Sequence, residues 1–451
     1  MRRIVRPLFV LLLVVTVAAA TGCGRSSVPT RVETARRIDR TRATPAFVLI
    51  SGNPALPGRA VVRLKQGVSF QGFASQKGIE LVRSQVVGSS TYYLVRSTQD
   101  PNSLTLAHDL DDPSFVDWTS PDLLLWCPEA DREPMASDDG DGFRSSQAYQ
   151  NQIAAQQVQA DAAHTLANGS GVSVAILDTG LDPSHPVFAG DFGLVYLLGL
   201  DFTHDQPQSW TTEVREGDDF DGDHYVDEAY GHGTHVAGIV RRAAPGAILI
   251  AIRVLNSDGW GSAFGIASGI EQAVAMGAKV INLSLGMLAD DGMLHEAIQS
   301  ATSQGVVVVA SAGNRGNELA QYPAAYSEAI SVTSVDSADV HVGAASYGSS
   351  VDIAAPGVDI VSAIPHDMNI GDYAVGTGTS MATPWVSGAM ALSFQYWSES
   401  TTPQIVAKVI NHSDPIDYLN SGYGGKLGAG RVNLYRIMES EEEVQLPRRR
   451  R

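Results

Sequence analysis

From about residue 149 to 440 the sequence alternates short, almost wholly apolar runs with helix-length segments, and this alternation restricts the fold more than any other feature. The runs lie at 172–177, 248–255, 280–283, 306–310 and 330–335, with helical candidates between them such as 263–276 and 293–304. A strand that is apolar at every position has both faces buried, and strands joined through helices become parallel neighbours. The expectation is an α/β fold with a mostly parallel central sheet and helices on both faces. At 451 residues and 44% apolar content the chain can bury a sizeable core and has room for a second unit.

That second unit is expected ahead of the first. Val61, Val62 and Leu64 fall in a strand-like run, Tyr92-Tyr93-Leu94-Val95 in another, and Leu104, Ala107 and Leu110 share a helix face. Residues 45–126 thus read as a small α/β domain. The segment 127–148, with Pro128, Pro134 and the run Asp138-Asp139-Gly140-Asp141-Gly142, reads as an exposed connector, where proteolytic nicking is easiest. The main domain is assigned to 149–440, and 441–451, acidic then arginine-rich, to a solvated tail.

The N-terminus carries Arg2, Arg3 and Arg6 before an apolar run at 8–20 and small residues up to Cys23. This is the pattern of a secretory signal over residues 1–22, followed by a polar linker at 23–44. At about 1.5 Å per residue the run is too short for a hydrocarbon core of roughly 30 Å. Ala20-Thr21-Gly22-Cys23 is similar to a bacterial lipobox, which makes Cys23 a candidate for acylation; ordinary cleavage after Ala20 is the alternative. Cys127 is the only other cysteine, so a single Cys23–Cys127 bridge stays open if Cys23 is not acylated. The expected location is extracellular or on the cell envelope. A net charge of −18 argues against nucleic acid as a partner.

Three segments supply the parts of an activated serine: Ile176-Leu177-Asp178-Thr179-Gly180, Gly231-His232-Gly233-Thr234-His235-Val236-Ala237-Gly238, and Gly378-Thr379-Ser380-Met381-Ala382-Thr383-Pro384. A serine hydroxyl needs a base to take its proton, and that base needs an acceptor to fix its tautomer. Asp178 ends a strand run, His232 stands between glycines before a helical run, and Ser380 opens an apolar helix with Pro384 assigned to its first turn. A fourth segment, Ala310-Ser311-Ala312-Gly313-Asn314, offers an amide donor; Asn314 and the Ser380 N–H are the candidate oxyanion hole.

Together, and in this order, these segments resemble the subtilisin family of serine proteases over about 153–434. Ile281-Asn282-Leu283-Ser284-Leu285-Gly286 is similar to the family's substrate-binding strand. The resemblance implies an Asp178, His232, Ser380 triad, substrate pairing along Ser284, Leu285 and Gly286, and no organic cofactor. It also implies that residues 45–126 act as a propeptide that assists folding and blocks the cleft until the connector is cut. The implied activity is a monomeric serine endopeptidase, autoprocessed from a proenzyme. Uncleaved, the same fold would be a catalytically silent surface binding protein. A lipase-type hydrolase would instead carry G-x-S-x-G and the order Ser, Asp, His.

Two departures accompany the resemblance. The family's calcium loop after the histidine helix is missing, since Val240 reaches Ala244-Pro245 after only three residues. Trp385 stands where a histidine is usual, read as a packing change. Between Asp201 and Glu228 lie ten acidic residues and one basic one, Arg215. Asp219, Asp221, Asp223, Asp227 and Glu228 offer hard oxygens within a short turn and are the candidate Ca²⁺ ligands. His235 reads as structural.

Overall fold

The computed structural model describes residues 47–440 apart from 51–52, 98, 100–101, 128–144, 189–194, 197–199, 210–211, 320 and 369–370. The signal segment, Cys23, most of the connector and the tail lie outside the described residues.

The first elements are β1 (Val48–Ile50), β2 (Asn53–Leu64), α1 (Phe70–Lys77), β3 (Glu80–Val87), β4 (Ser90–Arg96), α2 (Ser103–Leu110) and β5 (Val116–Trp126). After them come α3 (Ser146–Asn151), α4 (Ile153–Gln157), α5 (Ala160–Ala163), β6 (Ser173–Asp178), β7 (Val195–Tyr196), α6 (His232–Ala243), β8 (Ile248–Arg253) and β9 (Trp260–Ser262). The chain continues through α7 (Ala263–Ala275), β10 (Val280–Leu283), α8 (Gly292–Ser303), β11 (Val307–Ser311), β12 (Ala329–Val335) and β13 (Ile353–Pro356). It ends with the hairpin β14 (Ile360–Ala363) and β15 (Tyr373–Gly376), then α9 (Thr379–Tyr396), α10 (Thr402–Asn411) and α11 (Leu434–Glu439).

The seven strands of the central sheet run β13-β12-β11-β10-β6-β8-β7, all parallel. Their side chains alternate between two cores, as a period of two requires. Val174, Ile176, Leu249, Ala251, Val280, Val307 and Val309 face α6 and α9, whereas Ala175, Leu177, Ile250, Ile252, Ile281, Val308 and Ala310 face α7 and α8. Burial on both faces explains why the sequence shows unbroken apolar runs. The strand β6 lies between β8 and β10, so sequence order reverses there, and the crevice above its carboxyl end is where open α/β sheets place ligands.

The N-terminal segment is an antiparallel sheet, β3-β4-β2-β5, with β1 paired to β2. One face carries α1 and α2 around Val62, Phe73, Val95, Leu106, Leu110 and Val116. The opposite face, with Val61, Tyr92 and Leu94, merges into the core that holds α7 and α8. Arg63 and Tyr92 both donate to Glu296 of α8, at 2.9 and 2.6 Å, and Arg83 donates to Ser268 of α7 at 3.0 Å. The small α/β unit expected from sequence is therefore continued by β9, which pairs with β5 and comes from the later chain. Trp385 is fully buried in the α6/α9 core. No helix among the described residues is long and apolar enough to cross a membrane.

Candidate active site

Asp178 is the last residue of β6 and is fully buried. Its Oδ1 lies 2.7 Å from Nδ1 of His232, the first residue of α6, and also accepts from Thr179 N at 2.8 Å. A carboxylate only accepts, so Nδ1 carries the proton of this bond and Nε2 is the lone-pair nitrogen of the neutral ring. The close approach depends on glycine: a Cβ at Gly233 would sit 2.2 Å from the Gly180 carbonyl oxygen.

One residue that holds this pair was not singled out from the sequence. Glu213 is buried and accepts from the hydroxyls of Thr179 and Thr234, from Gly231 N at 2.8 Å and from Thr234 N at 3.3 Å. It ties the residue after Asp178 to those flanking His232. Burial raises its pKa above the ordinary carboxyl value, opposed by these donors. Within the acidic stretch 201–228 nothing in the sequence separates Glu213 from its neighbours.

Ser380 is the second residue of α9, and Gly378 precedes the helix in extended backbone. Asn314 follows β11, and its Oδ1 accepts from both N and Oγ1 of Thr379 at 3.0 Å, which fixes the amide plane beside the Ser380 turn. Pro384 was expected in the first turn but is the sixth residue of α9. Lacking an N–H, it cannot bond the carbonyl of Ser380, four residues back. That carbonyl instead accepts from Ser284 Oγ at 3.0 Å, while Ser380 Oγ donates to the Ser284 carbonyl at 3.2 Å. The bond that Pro384 cannot make thus leaves the Ser380 carbonyl open to Ser284, although α9 itself runs on without a break. His235, by contrast, has Nε2 3.2 Å from the Ala374 carbonyl oxygen, on the β15 side.

The end of β5 lies along this segment. Trp126 exchanges two backbone bonds with Gly286, N to O at 3.0 Å and O to N at 2.9 Å, and Leu124, Leu125 and Trp126 pair antiparallel with Ser262, Gly261 and Trp260. Cys127 N donates to Gly259 O at 3.0 Å. The N-terminal segment therefore places an extended strand between β9 and Gly286. A Cβ at Gly286 would meet the Gln321 side chain, with Nε2 at 1.9 Å, so Gln321 would have to shift to admit one.

Of the five candidate metal ligands, Asp219, Asp221 and Asp223 come together, and Asp221 and Glu228 form a second group with Asp258; in each, carboxylate oxygens lie within 4.8 Å of one another. Asp258 was missed because it lies thirty residues further on, next to β9. Asp227 joins neither group among the described residues: its Oδ1 accepts from Glu216 N at 3.0 Å and Gly217 N at 2.9 Å. Both oxygens of Glu228 are buried, and its carboxyl faces that of Asp258. Burial and the nearby Asp258 push the Glu228 carboxyl up to about 10, and burial pushes Asp258 to about 7. A divalent cation among oxygen ligands fits this donor set, because it removes the penalty that drives both shifts.

A buried Asp–His pair above the carboxyl end of a parallel sheet is the kind of pair a serine hydrolase uses. Residues 169–430 match the subtilase family, peptidase S8, and the chain belongs to that family. It is 38% identical over 298 residues to thermitase of Thermoactinomyces vulgaris, covering 64% of this chain and 96% of that one. Subtilisin Savinase of Lederbergia lenta is 39% identical over 247 residues, 52% of this chain and 81% of that one. Among solved structures, fervidolysin of Fervidobacterium pennivorans, described as a keratinolytic enzyme related to subtilisin, has a TM-score of 0.65. It covers 93% of this chain and 65% of that one at 22% identity, a likeness of fold alone. A protease of Pseudoalteromonas arctica gives a TM-score of 0.54 at 26% identity, covering 62% of this chain and 93% of that one.

Proposed function

We propose that the chain is a serine endopeptidase in which Asp178, His232 and Ser380 form the triad and Asn314 completes the oxyanion hole. The observation that carries this reading is the 2.7 Å bond between buried Asp178 and His232. It leaves Nε2 to take the proton of Ser380 Oγ as that oxygen attacks a peptide carbonyl. The Asn314 amide and the Ser380 N–H then hold the oxyanion. His232 returns the proton to the leaving amine, and water, deprotonated by the same nitrogen, hydrolyses the acyl-serine.

Residues 45–126 act as an inhibitory propeptide in this reading, because β5 fills the strand position a substrate would take and Ser380 and His232 are buried. Cleavage falls in the connector that follows. The buried, facing carboxyls of Glu228 and Asp258 support a Ca²⁺ ion held by Asp221, Glu228 and Asp258, with Asp219 and Asp223 alongside. Export through residues 1–22, with Cys23 as the acylated anchor, would leave the cut catalytic part held at the surface by its contacts with the N-terminal segment.

The silent-binder reading shares the occupied cleft and is separated by one experiment. Residues 24–451 and a Ser380→Ala partner are expressed and compared by intact mass, fluorophosphonate labelling and casein hydrolysis. Cleavage between about 127 and 149, labelling and hydrolysis are expected in the wild type only. Equal processing of both proteins removes autocatalysis; processed wild type that takes no label removes the protease reading.

A further inference from the structure

We infer that the cleft selects a large aromatic residue at the third substrate position on the amino side of the scissile bond, with Trp260 as the residue that determines it and Arg315 excluding cations there. This rests on the protease reading and adds a substrate preference to it. The register follows from the pairing. Trp126 is bonded to Gly286 on an antiparallel strand, so two residues further along a bound chain lies opposite Ser284. The Ser284 carbonyl accepts from Ser380 Oγ, so the residue opposite Ser284 is the one whose carbonyl is within reach of the nucleophile. Counting back, the residue paired with Gly286 is third from the bond that breaks.

At that position the structure builds a site for an aromatic ring. Trp126 and Trp260 are direct cross-strand partners with ring centroids 5.4 Å apart, and Trp126 is only 5% exposed. The Arg315 guanidinium stands 5.4 Å from the Trp126 ring centroid, one residue beyond Asn314. Trp260 is backed by Phe47 at 5.0 Å and by Phe220 at 6.3 Å. When the N-terminal segment leaves, Trp126 and Phe47 leave with it. Phe220 then remains behind an indole that has lost its cover and regains it only from a substrate ring. Aromatic pairing and a cation over the ring reward such a substrate, and an incoming lysine would meet Arg315 instead.

The test uses the processed enzyme and internally quenched peptides that differ only at this third position, with the cleaved bond located by product mass. The peptide with Trp should give a kcat/KM on the order of tenfold above the Ala peptide, and Lys should fall below Ala. The Trp/Ala ratio, which is independent of the amount of folded enzyme, should collapse toward one in Trp260→Ala and persist in Trp260→Phe; Arg315→Gln should bring Lys up to Ala. A wild-type ratio near one, with casein still hydrolysed and Ser380 still labelled, overturns the inference alone. A ratio unchanged in Trp260→Ala overturns the assignment to Trp260. Failure to cleave any peptide or take up label overturns the protease reading beneath it.

Discussion

In the proposed oxyanion hole the amide of Asn314 would act by orientation, because Thr379 N and Oγ1 both bind its oxygen and so fix which way its N–H bonds can point. Asn314→Ala should lower kcat on the order of a hundredfold with little change in KM. Rates per labelled serine check it, since label uptake counts competent sites. Glu213 acts one step further out. Glu213→Gln turns an acceptor of four N–H and O–H groups into a group with one donor end facing other donors. We expect a loss of about 1–3 kcal/mol in stability and a fall in kcat that exceeds any change in KM. Denaturant midpoints and steady-state kinetics on the same preparation measure both; a variant with normal kcat and only lower stability would make Glu213 structural alone.

Among the elements, the loop between β7 and α6 joins Glu228 to Asp258 at the foot of β9, so a cation there would fasten the turn before His232 to the strand that receives β5. Ca²⁺ at about a hundred times its Kd should add roughly 2.7 kcal/mol and raise the melting temperature by a few degrees, reversed by a chelator. Glu228→Gln should abolish that response and, in the chelator, melt no lower than the wild type, since it removes one of two facing buried carboxyls. A calcium response retained in Glu228→Gln would dismiss the site. The strands β6, β8, β10, β11 and β12 were legible in the sequence because double-sided burial writes an unbroken apolar run. The hairpin β14–β15 and β9 are too short to write any period, and Asp258 belongs to the site only through the fold. The segment Ser284, Leu285 and Gly286 was singled out from the family motif, but the contact of Ser284 with Ser380 at the carbonyl Pro384 leaves open needed the helix start to be placed at Thr379.

Across the whole molecule, the burial of β5 takes with it a carboxyl that forms no salt bridge among the described residues. Asp122 of β5 is fully buried against α7; its Oδ1 accepts from Phe264 N at 3.5 Å and its Oδ2 has no partner. Burial raises it to about 6, against the pull of Arg59 and Arg83 and with a smaller push from Asp291. Exposed on a released segment, the same group would titrate near 3.8. Docking therefore takes up a proton between these values: the contact is at full strength below about pH 4 and weakens as pH rises through 6. In the processed protein the dissociation constant of the two parts should rise roughly tenfold or more between about pH 4.5 and 7, followed by the amount of N-terminal fragment that co-elutes with the catalytic part. Asp122→Asn, neutral throughout, should flatten that dependence and hold the segment more tightly at pH 7. If the variant kept the wild-type profile, the pH response would have to come from groups other than Asp122. Acidic retention and neutral release would then no longer follow from how β5 is buried.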